Sequence, residues 1–250
     1  MRILSWNVNG YKACTKHGGI DIVFNENPDF ICLQEVKLSY EEPLFNFTTM
    51  NYLCNSNLSN ERGRGGVSVF SLVEPKKINM FIGFERFDKE GRFAELEFDD
   101  FTLINVYMPH GQRDKSNLLY KLESYDALIS YLSSKNCNTI LLAGDFNIAR
   151  EMIDVTRARE NINNTMFTCE ERKRLYSLID LGFIDSFREK NKGTIQYTWF
   201  PYAFDARKKN MGWRIDYIFI GSELAKCDYS AFIYNEIIGS DHCPICINFA

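Results

Sequence analysis

Long apolar runs are missing from this chain. No stretch of 18 apolar residues occurs, so no transmembrane helix is encoded. The first residues are expected to form a strand rather than a secretory leader, because the apolar run at Met1 to Asn7 is too short and Asn7 and Asn9 interrupt it. Without an export signal, the eight cysteines are expected as reduced, buried thiols. Cys243-Pro-Ile-Cys246 has no second CxxC and no βαβ setting, so it reads as structural rather than as a zinc or redox pair. Charge of one sign is not in excess, and a net charge of −4 gives no global attraction to nucleic acid. Linkers, repeats and low-complexity segments are absent, so one domain over 1–250 is the simplest organisation.

What the chain does have is core-forming capacity, with 45% hydrophobic residues. The stretch Thr139 to Asn147 organises it. Ile140 to Ala143 read as a short buried strand that Gly144 ends, with Asp145 and Asn147 directly after. A carboxylate and a carboxamide at a buried strand exit are costly unless paired or coordinated. Strand ends are also where layered α/β proteins place their chemistry. Ile3 to Asn9, Phe30 to Glu35, and Asp216 to Ile220 with Ser240-Asp241-His242 repeat the arrangement. These ends are expected to converge on one site suited to metal-assisted hydrolysis of a phosphodiester.

Strands are expected over 2–9, 29–35, 52–54, 66–70, 78–82, 92–98, 101–107, 139–143, 214–220, 229–234 and 244–249, with a hairpin turn at Asp99-Asp100. A short helix is expected from Ile20 to Asn25, and a loop or short helix from Leu38 to Phe47. Leu118, Leu119, Leu122, Tyr125, Leu128, Ile129 and Leu132 recur at helical spacing within 116–134. Thr168-Cys-Glu-Glu171 matches a capping box for a helix running to Gly182. Strands outnumber helices and few βαβ units appear. That favours two mixed sheets packed face to face with helices outside, a four-layered α/β sandwich.

Asp145 could hold and deprotonate water while Asn147 donates to a phosphate oxygen, the two sharing a face if strand geometry persists. A turn is the alternative, because Gly-Asp-Phe-Asn is rich in turn formers. Glu35 at a strand end suits a hard cation, with Gln34 expected to face the other way. His242 is the one histidine of three beside an acid at the head of an apolar strand, with Asp216 the candidate to orient its ring. His17 and His110 sit in polar, loop-like settings. Tyr107 at a strand end could donate to a phosphate or simply pack. Trp199, Met211 and Trp213 flank a loop in which Arg207, Lys208, Lys209 and Arg214 stand against Asp205 alone. That loop is either a local phosphate-binding patch or a solvated face.

Taken in order, these motifs resemble the exonuclease III type of apurinic/apyrimidinic (AP) endonuclease almost end to end. The match covers Ser-Trp-Asn7-Val-Asn9-Gly, Leu-Gln-Glu35, Glu90-Gly-Arg92, Tyr107-Met-Pro, Gly-Asp145-Phe-Asn147, Tyr197-Thr-Trp199, Gly212-Trp213-Arg-Ile-Asp216 and Ser-Asp241-His242-Cys-Pro. The resemblance implies Mg²⁺, with Mn²⁺ able to substitute, and incision of duplex DNA 5′ to abasic sites to leave a 3′-hydroxyl. It also implies 3′→5′ exonuclease and 3′-phosphodiesterase side activities. By position, Glu35, Asp241 and Asn9 would lie at the metal. Asp145 would activate water, and Asn147 and Asn7 would orient it. Tyr107 and His242 would contact phosphate, with Asp216 pairing His242. Arg113, Asn161 and Asn164 would touch DNA, and Trp199, Met211 and Trp213 would hold a flipped-out sugar. A monomeric, cytoplasmic, prokaryotic-type enzyme without membrane partners is the matching expectation. The chain departs from the family's usual pattern at Asn9, where some members carry Asp, at His110, where Asn is frequent, and at Arg64, where an aromatic is frequent. Two other readings compete. A lipid or inositol phosphoesterase would show a greasy loop near the site, and a non-catalytic DNA-binding module would have lost Asp145, Glu35 or His242.

Overall fold

The computed structural model describes residues 1–39, 51–61 and 63–250, so most of the loop or helix expected at 38–47 lies outside the described residues. Along the chain, β1 (Arg2–Asn7) leads through α1 (Tyr11–Lys16) and α2 (Gly19–Asn25) to β2 (Phe30–Gln34), β3 (Leu53–Asn57), β4 (Val67–Ser71) and β5 (Lys77–Asn79). Then come α3 (Glu85–Lys89), β6 (Phe93–Glu97), β7 (Thr102–Tyr107), α4 (Leu118–Ser133), β8 (Ile140–Asp145), α5 (Ala158–Asn161) and α6 (Cys169–Asp180). The chain closes with β9 (Ile184–Asp185), α7 (Ser186–Lys190), β10 (Asp216–Ile220), β11 (Tyr229–Ile233) and β12 (Ile245–Phe249).

Two six-stranded mixed sheets result, in the orders β11-β12-β1-β2-β4-β3 and β5-β6-β7-β8-β10-β9. The expected sandwich is therefore the observed one. Period-two alternation explains the layers. Ile3, Cys32 and Val69 of the first sheet face Leu103, Leu141 and Ile218 of the second in one apolar interlayer. The opposite faces carry Leu4, Trp6, Ile31 and Leu33, covered by Ile20, Val23 and Phe24 of α2. On the far side Ile104, Leu142 and Phe219 meet Tyr125, Leu128, Leu175 and Leu178 of α4 and α6. Each fully buried aliphatic or aromatic side chain contributes about 1.5–3 kcal/mol of transfer free energy. The capping box forms as expected: Thr168 Oγ1 accepts from Glu171 N, and Glu171 Oε2 accepts from Thr168 N.

Several details differ from expectation. Gly144 does not end its strand; β8 runs on to Asp145. Gly144 has φ +146°, and a Cβ there would stand 1.8 Å from the Val106 carbonyl oxygen, so glycine permits the close approach to β7. Gln34, expected to face the other way from Glu35, is fully buried. It lies in the interlayer and donates to Asn105 Oδ1 (2.7 Å) and Ser5 Oγ (3.0 Å), a buried polar bridge between the sheets. The expected strand 78–82 is only three residues long, on a sheet edge. Cys169 and Cys227 are exposed, although all eight thiols are free.

Candidate active site

The inner faces of both sheets change from apolar to polar at the same end. In β1 the inward series is Ile3, Ser5, Asn7; in β7 it is Leu103, Asn105, Tyr107; in β8 it is Leu141, Ala143, Asp145; in β10 it begins at Asp216. Register brings them side by side, with Asn7 opposite Gln34, Tyr107 opposite Asp145, and Asp145 opposite Asp216. A cavity of about 140 Å³ opens there, lined by Glu35, Asp145, Asn147, Trp199, Asp241 and His242, with Asn9, Tyr107, His110, Met166 and Ile215 completing its wall.

Asp145 lies at the centre and is buried. Its Oδ2 accepts from Asn7 Nδ2 (2.8 Å) and its Oδ1 from the backbone N–H of Asn147 (2.8 Å). Asn147 reaches the site through a turn with φ +51° rather than by continuing the strand, as the turn-forming residues of Gly-Asp-Phe-Asn allow. Its Nδ2 donates to Met108 O (2.9 Å). Burial, and next the neighbouring Asp216 carboxylate, push Asp145 up to about 7, despite the opposing pull of His242 and the Asn7 hydrogen bond.

His242 Nδ1 donates to Asp216 at 2.9 and 3.1 Å. Burial alone would depress the imidazole, but the charges of Asp216 and then Asp145 and Asp241 outweigh it and raise it to about 10. The ring is therefore a cation at neutral pH with Nε2–H free of Asp216. Thr198 Oγ1 accepts from Asp216 N (3.1 Å) and fixes the head of β10. Tyr107 is raised well above its ordinary value, first by burial and next by the Glu35 charge, so its phenol stays a donor. Arg92 stacks 4.4 Å from the Tyr107 ring centroid and donates to its carbonyl (3.0 Å).

Glu35 follows β2 in a left-handed turn, φ +50°. Its Oε1 accepts from Asn7 Nδ2 (3.0 Å) and its Oε2 pairs with Lys37 (2.9 Å). Burial opposes its charge, but Lys37, Asn7 and Tyr107 together hold its carboxyl below the usual range. Asp241 accepts from Asn9 Nδ2 (2.9 Å) and from Trp199 Nε1 (3.0 Å). Asn9 Oδ1 accepts from Lys37 (2.5 Å). Lysine can only donate and aspartate can only accept, so this amide orientation follows from the network. Asn9 consequently turns nitrogen, not oxygen, toward Asp241. Glu35 and Asp241 both line the cavity and offer the carboxylate oxygens that a hard divalent cation takes. Asp145, Asp216 and His242 form a second group whose ligand atoms lie within 4.8 Å of one another.

The remaining expected site residues are not all at the cavity. Trp199 lines it. Trp213 packs edge-on against Phe167, with ring centroids 6.2 Å apart, and Met211 packs on the interlayer core. Asn164 donates to Asn161 (2.7 Å) away from the cavity wall, and Arg113 is exposed on the segment after His110. The basic loop is less basic than its composition. Arg214 is buried between Asp154 and Asp185, and Arg207 is tied to the carbonyls of Asn235, Ile237 and Ser240. Only Lys208 and Lys209 remain to face solvent. His110, set aside as a loop residue, lines the cavity: its Nδ1 accepts from Gln112 N (2.9 Å), and burial lowers it. The one signal for it was its place after Tyr107-Met-Pro at a strand exit.

The sequence pattern of the Endonuclease/Exonuclease/phosphatase family matches residues 4–242. An exodeoxyribonuclease of Bacillus subtilis is 35% identical over 248 residues, covering 98% of each chain. The DNA repair nuclease APEX1 of Danio rerio is 37% identical over 258 residues, covering all of this chain and 82% of that protein. Among solved structures, an AP endonuclease from Archaeoglobus fulgidus superposes with a TM-score of 0.91 at 27% identity, covering 100% and 99% of the two chains. The 3′-5′ exonuclease NExo of Neisseria meningitidis superposes at 0.92 with 26% identity, covering 100% of this chain and 99% of its own. With a matched pattern that runs from β1 to His242 and takes in every strand end that builds the cavity, the chain belongs to the Endonuclease/Exonuclease/phosphatase family.

Proposed function

We propose that this protein is a Mg²⁺-dependent AP endonuclease of base excision repair. It hydrolyses the phosphodiester 5′ to an abasic site in duplex DNA and leaves a 3′-hydroxyl. 3′→5′ exonuclease and 3′-phosphodiesterase activities accompany that reaction. The observation that carries the reading is the buried Asp145 carboxylate, held by Asn7 Nδ2 and the Asn147 N–H, on the same cavity wall as His242, whose ring is held by Asp216.

Asp145 receives the proton of the attacking water, a role that fits a base poised near the operating pH. Asn7 and Asn147 hold that carboxylate and orient the water. His242 Nε2–H and the Tyr107 hydroxyl donate to the non-bridging phosphate oxygens, where negative charge grows. Glu35 and Asp241 would hold the cation, which supplies positive charge beside the leaving oxygen when bound. Trp199 forms an apolar wall for a sugar without a base, and an abasic nucleotide flips out at lower cost than a paired one.

The lipid phosphoesterase reading lacks support at the rim. Among the described residues no helix is long and apolar enough to cross a membrane. The loop beside the cavity offers Tyr202 and Phe204, 78% and 84% exposed, with Lys208 and Lys209, a set suited to bases and phosphates. The test is incision of a duplex with one abasic analogue, compared with an undamaged duplex and with turnover of a soluble inositol phosphate. Preferred turnover of the inositol phosphate would reject the DNA-repair reading.

A further inference from the structure

Behind β10, three arginines share two carboxylates. Asp154 Oδ1 accepts from Arg214 Nε (2.8 Å) and Arg188 Nη2 (2.6 Å), and its Oδ2 accepts from Arg214 Nη2 (3.0 Å) and Glu151 N (3.0 Å). Asp185 Oδ1 accepts from Arg214 Nη1 (3.1 Å) and Arg188 N (3.1 Å), and its Oδ2 accepts from Arg214 Nη2 (2.7 Å). All four carboxylate oxygens are thus taken by Arg214, Arg188 and backbone. Arg150 comes third and gets only the periphery. Its Nη2 is 3.5 Å from Asp185 and its Nε is 3.5 Å from Glu151 Oε1, which already accepts from Tyr176 OH (3.1 Å). Its side chain is only 13% exposed, and its Nε is buried without a hydrogen-bond partner. With Glu151 counted, three arginines face three carboxylates, and one donor left without a hydrogen bond is the buried Arg150 Nε.

A cleft of about 590 Å³ lies against this group, with Arg150, Arg188 and Lys192 on its wall. It shares no lining residue with the catalytic cavity. A buried N–H donor without a hydrogen-bond partner is costly, and the cost falls when an acceptor oxygen reaches it. A guanidinium fork beside a lysine point charge matches the oxygens of a phosphate group. The rim carboxylates Glu151 and Glu189 would repel a diffuse anionic surface, so the cleft favours a small anion that can reach the guanidinium itself.

We propose that this cleft binds a phosphate group, carried either by inorganic phosphate or by a nucleoside monophosphate, as the acceptor that the Arg150 guanidinium lacks. The test is thermal melting of the intact protein with inorganic phosphate or deoxyadenosine 5′-monophosphate, against sodium chloride at equal ionic strength. A saturable rise of roughly 3 °C at ten times Kd is expected, beyond the chloride control. Arg150→Met should abolish it and Lys192→Met, on an exposed position that folding does not depend on, should at least halve it. His242→Asn should leave it intact, which separates this cleft from phosphate bound in the catalytic cavity. A response at lower concentration with the nucleotide identifies that as the source, and an equal or weaker one identifies free phosphate. No phosphate-specific rise, a rise unchanged in both Lys192→Met and Arg150→Met, or one lost in His242→Asn overturns the proposal.

Discussion

Asp145→Asn is the substitution with the sharpest expected outcome. Asparagine keeps the shape, so the strand and cavity persist, but its nitrogen cannot take a proton from water. Three donors already point at this side chain, Asn7 Nδ2, Asn147 N and Asn147 Nδ2. Placing an NH₂ against one of them costs one hydrogen bond, about 1 kcal/mol. Removing a general base lowers the rate by about 10²–10⁴-fold. The lost charge also weakens the imidazolium beside it, since Asp145 is one of the groups that raise His242. The expected fall in kcat is therefore at the upper end, about 10³–10⁴-fold, or roughly 4–5.5 kcal/mol of barrier. DNA affinity should fall little, because no phosphate donor is removed. Removing a buried carboxylate raised to about 7 also relieves desolvation at pH 8, so Tm there should match or exceed wild type. Single-turnover incision of an end-labelled duplex with one tetrahydrofuran abasic analogue gives the rate, and anisotropy in EDTA gives the affinity. Turnover within tenfold of wild type would refute Asp145 as the base.

Other outcomes are equally checkable. The kcat–pH profile should rise as Asp145 ionises through about 7 and fall as His242 loses its proton near 10; a flat profile over that range would contradict both assignments. Asp216→Asn should cut kcat about 10–100-fold and move the alkaline limb to lower pH, because the carboxylate that raises the imidazole is gone; an unmoved limb would uncouple the pair. Lys121→Met strands the buried Glu171 carboxylate, an ion pair with both side chains fully buried, so stability should fall about 3–5 kcal/mol and Tm about 10 °C; a loss under 1 kcal/mol in urea titration would contradict the pairing. Trp199→Phe keeps the ring but removes the Nε1 donor to Asp241, so abasic-duplex affinity should hold within about threefold; a larger loss, by more than 0.7 kcal/mol, would make the hydrogen bond rather than the ring the important contact.

Much of the sandwich is written in periodicity, and the gaps have physical causes. The spacing from Leu118 to Leu132 marks α4 because that helix lays one apolar face on a sheet. Helices α3 and α7 are five residues each, too short for a repeating face to register. Helix α1 was hidden for the same reason. Asp145, Asn7, Asp216 and His242 were legible because polar groups at buried strand exits need a partner, and each found another of the set. Charges were harder. The sequence leaves Arg207 and Arg214 in either a phosphate-binding patch or a solvated face, whereas the fold ties them to carbonyls and to two aspartates from distant segments. Composition records a charge but not where it is spent. His110 was missed because a histidine after Pro109 looks like any loop residue until the chain folds it against Glu35 and Asn147 on the cavity wall.

The most direct measurement is incision of a duplex carrying one abasic analogue, with Mg²⁺, with Mn²⁺ and with EDTA, beside the same duplex undamaged. Metal-dependent cleavage 5′ to the analogue, a 3′-hydroxyl product and little cutting of the control are expected. Equal cutting of both duplexes, or no cutting with either metal, would contradict an abasic-site nuclease built on Asp145, His242 and Glu35.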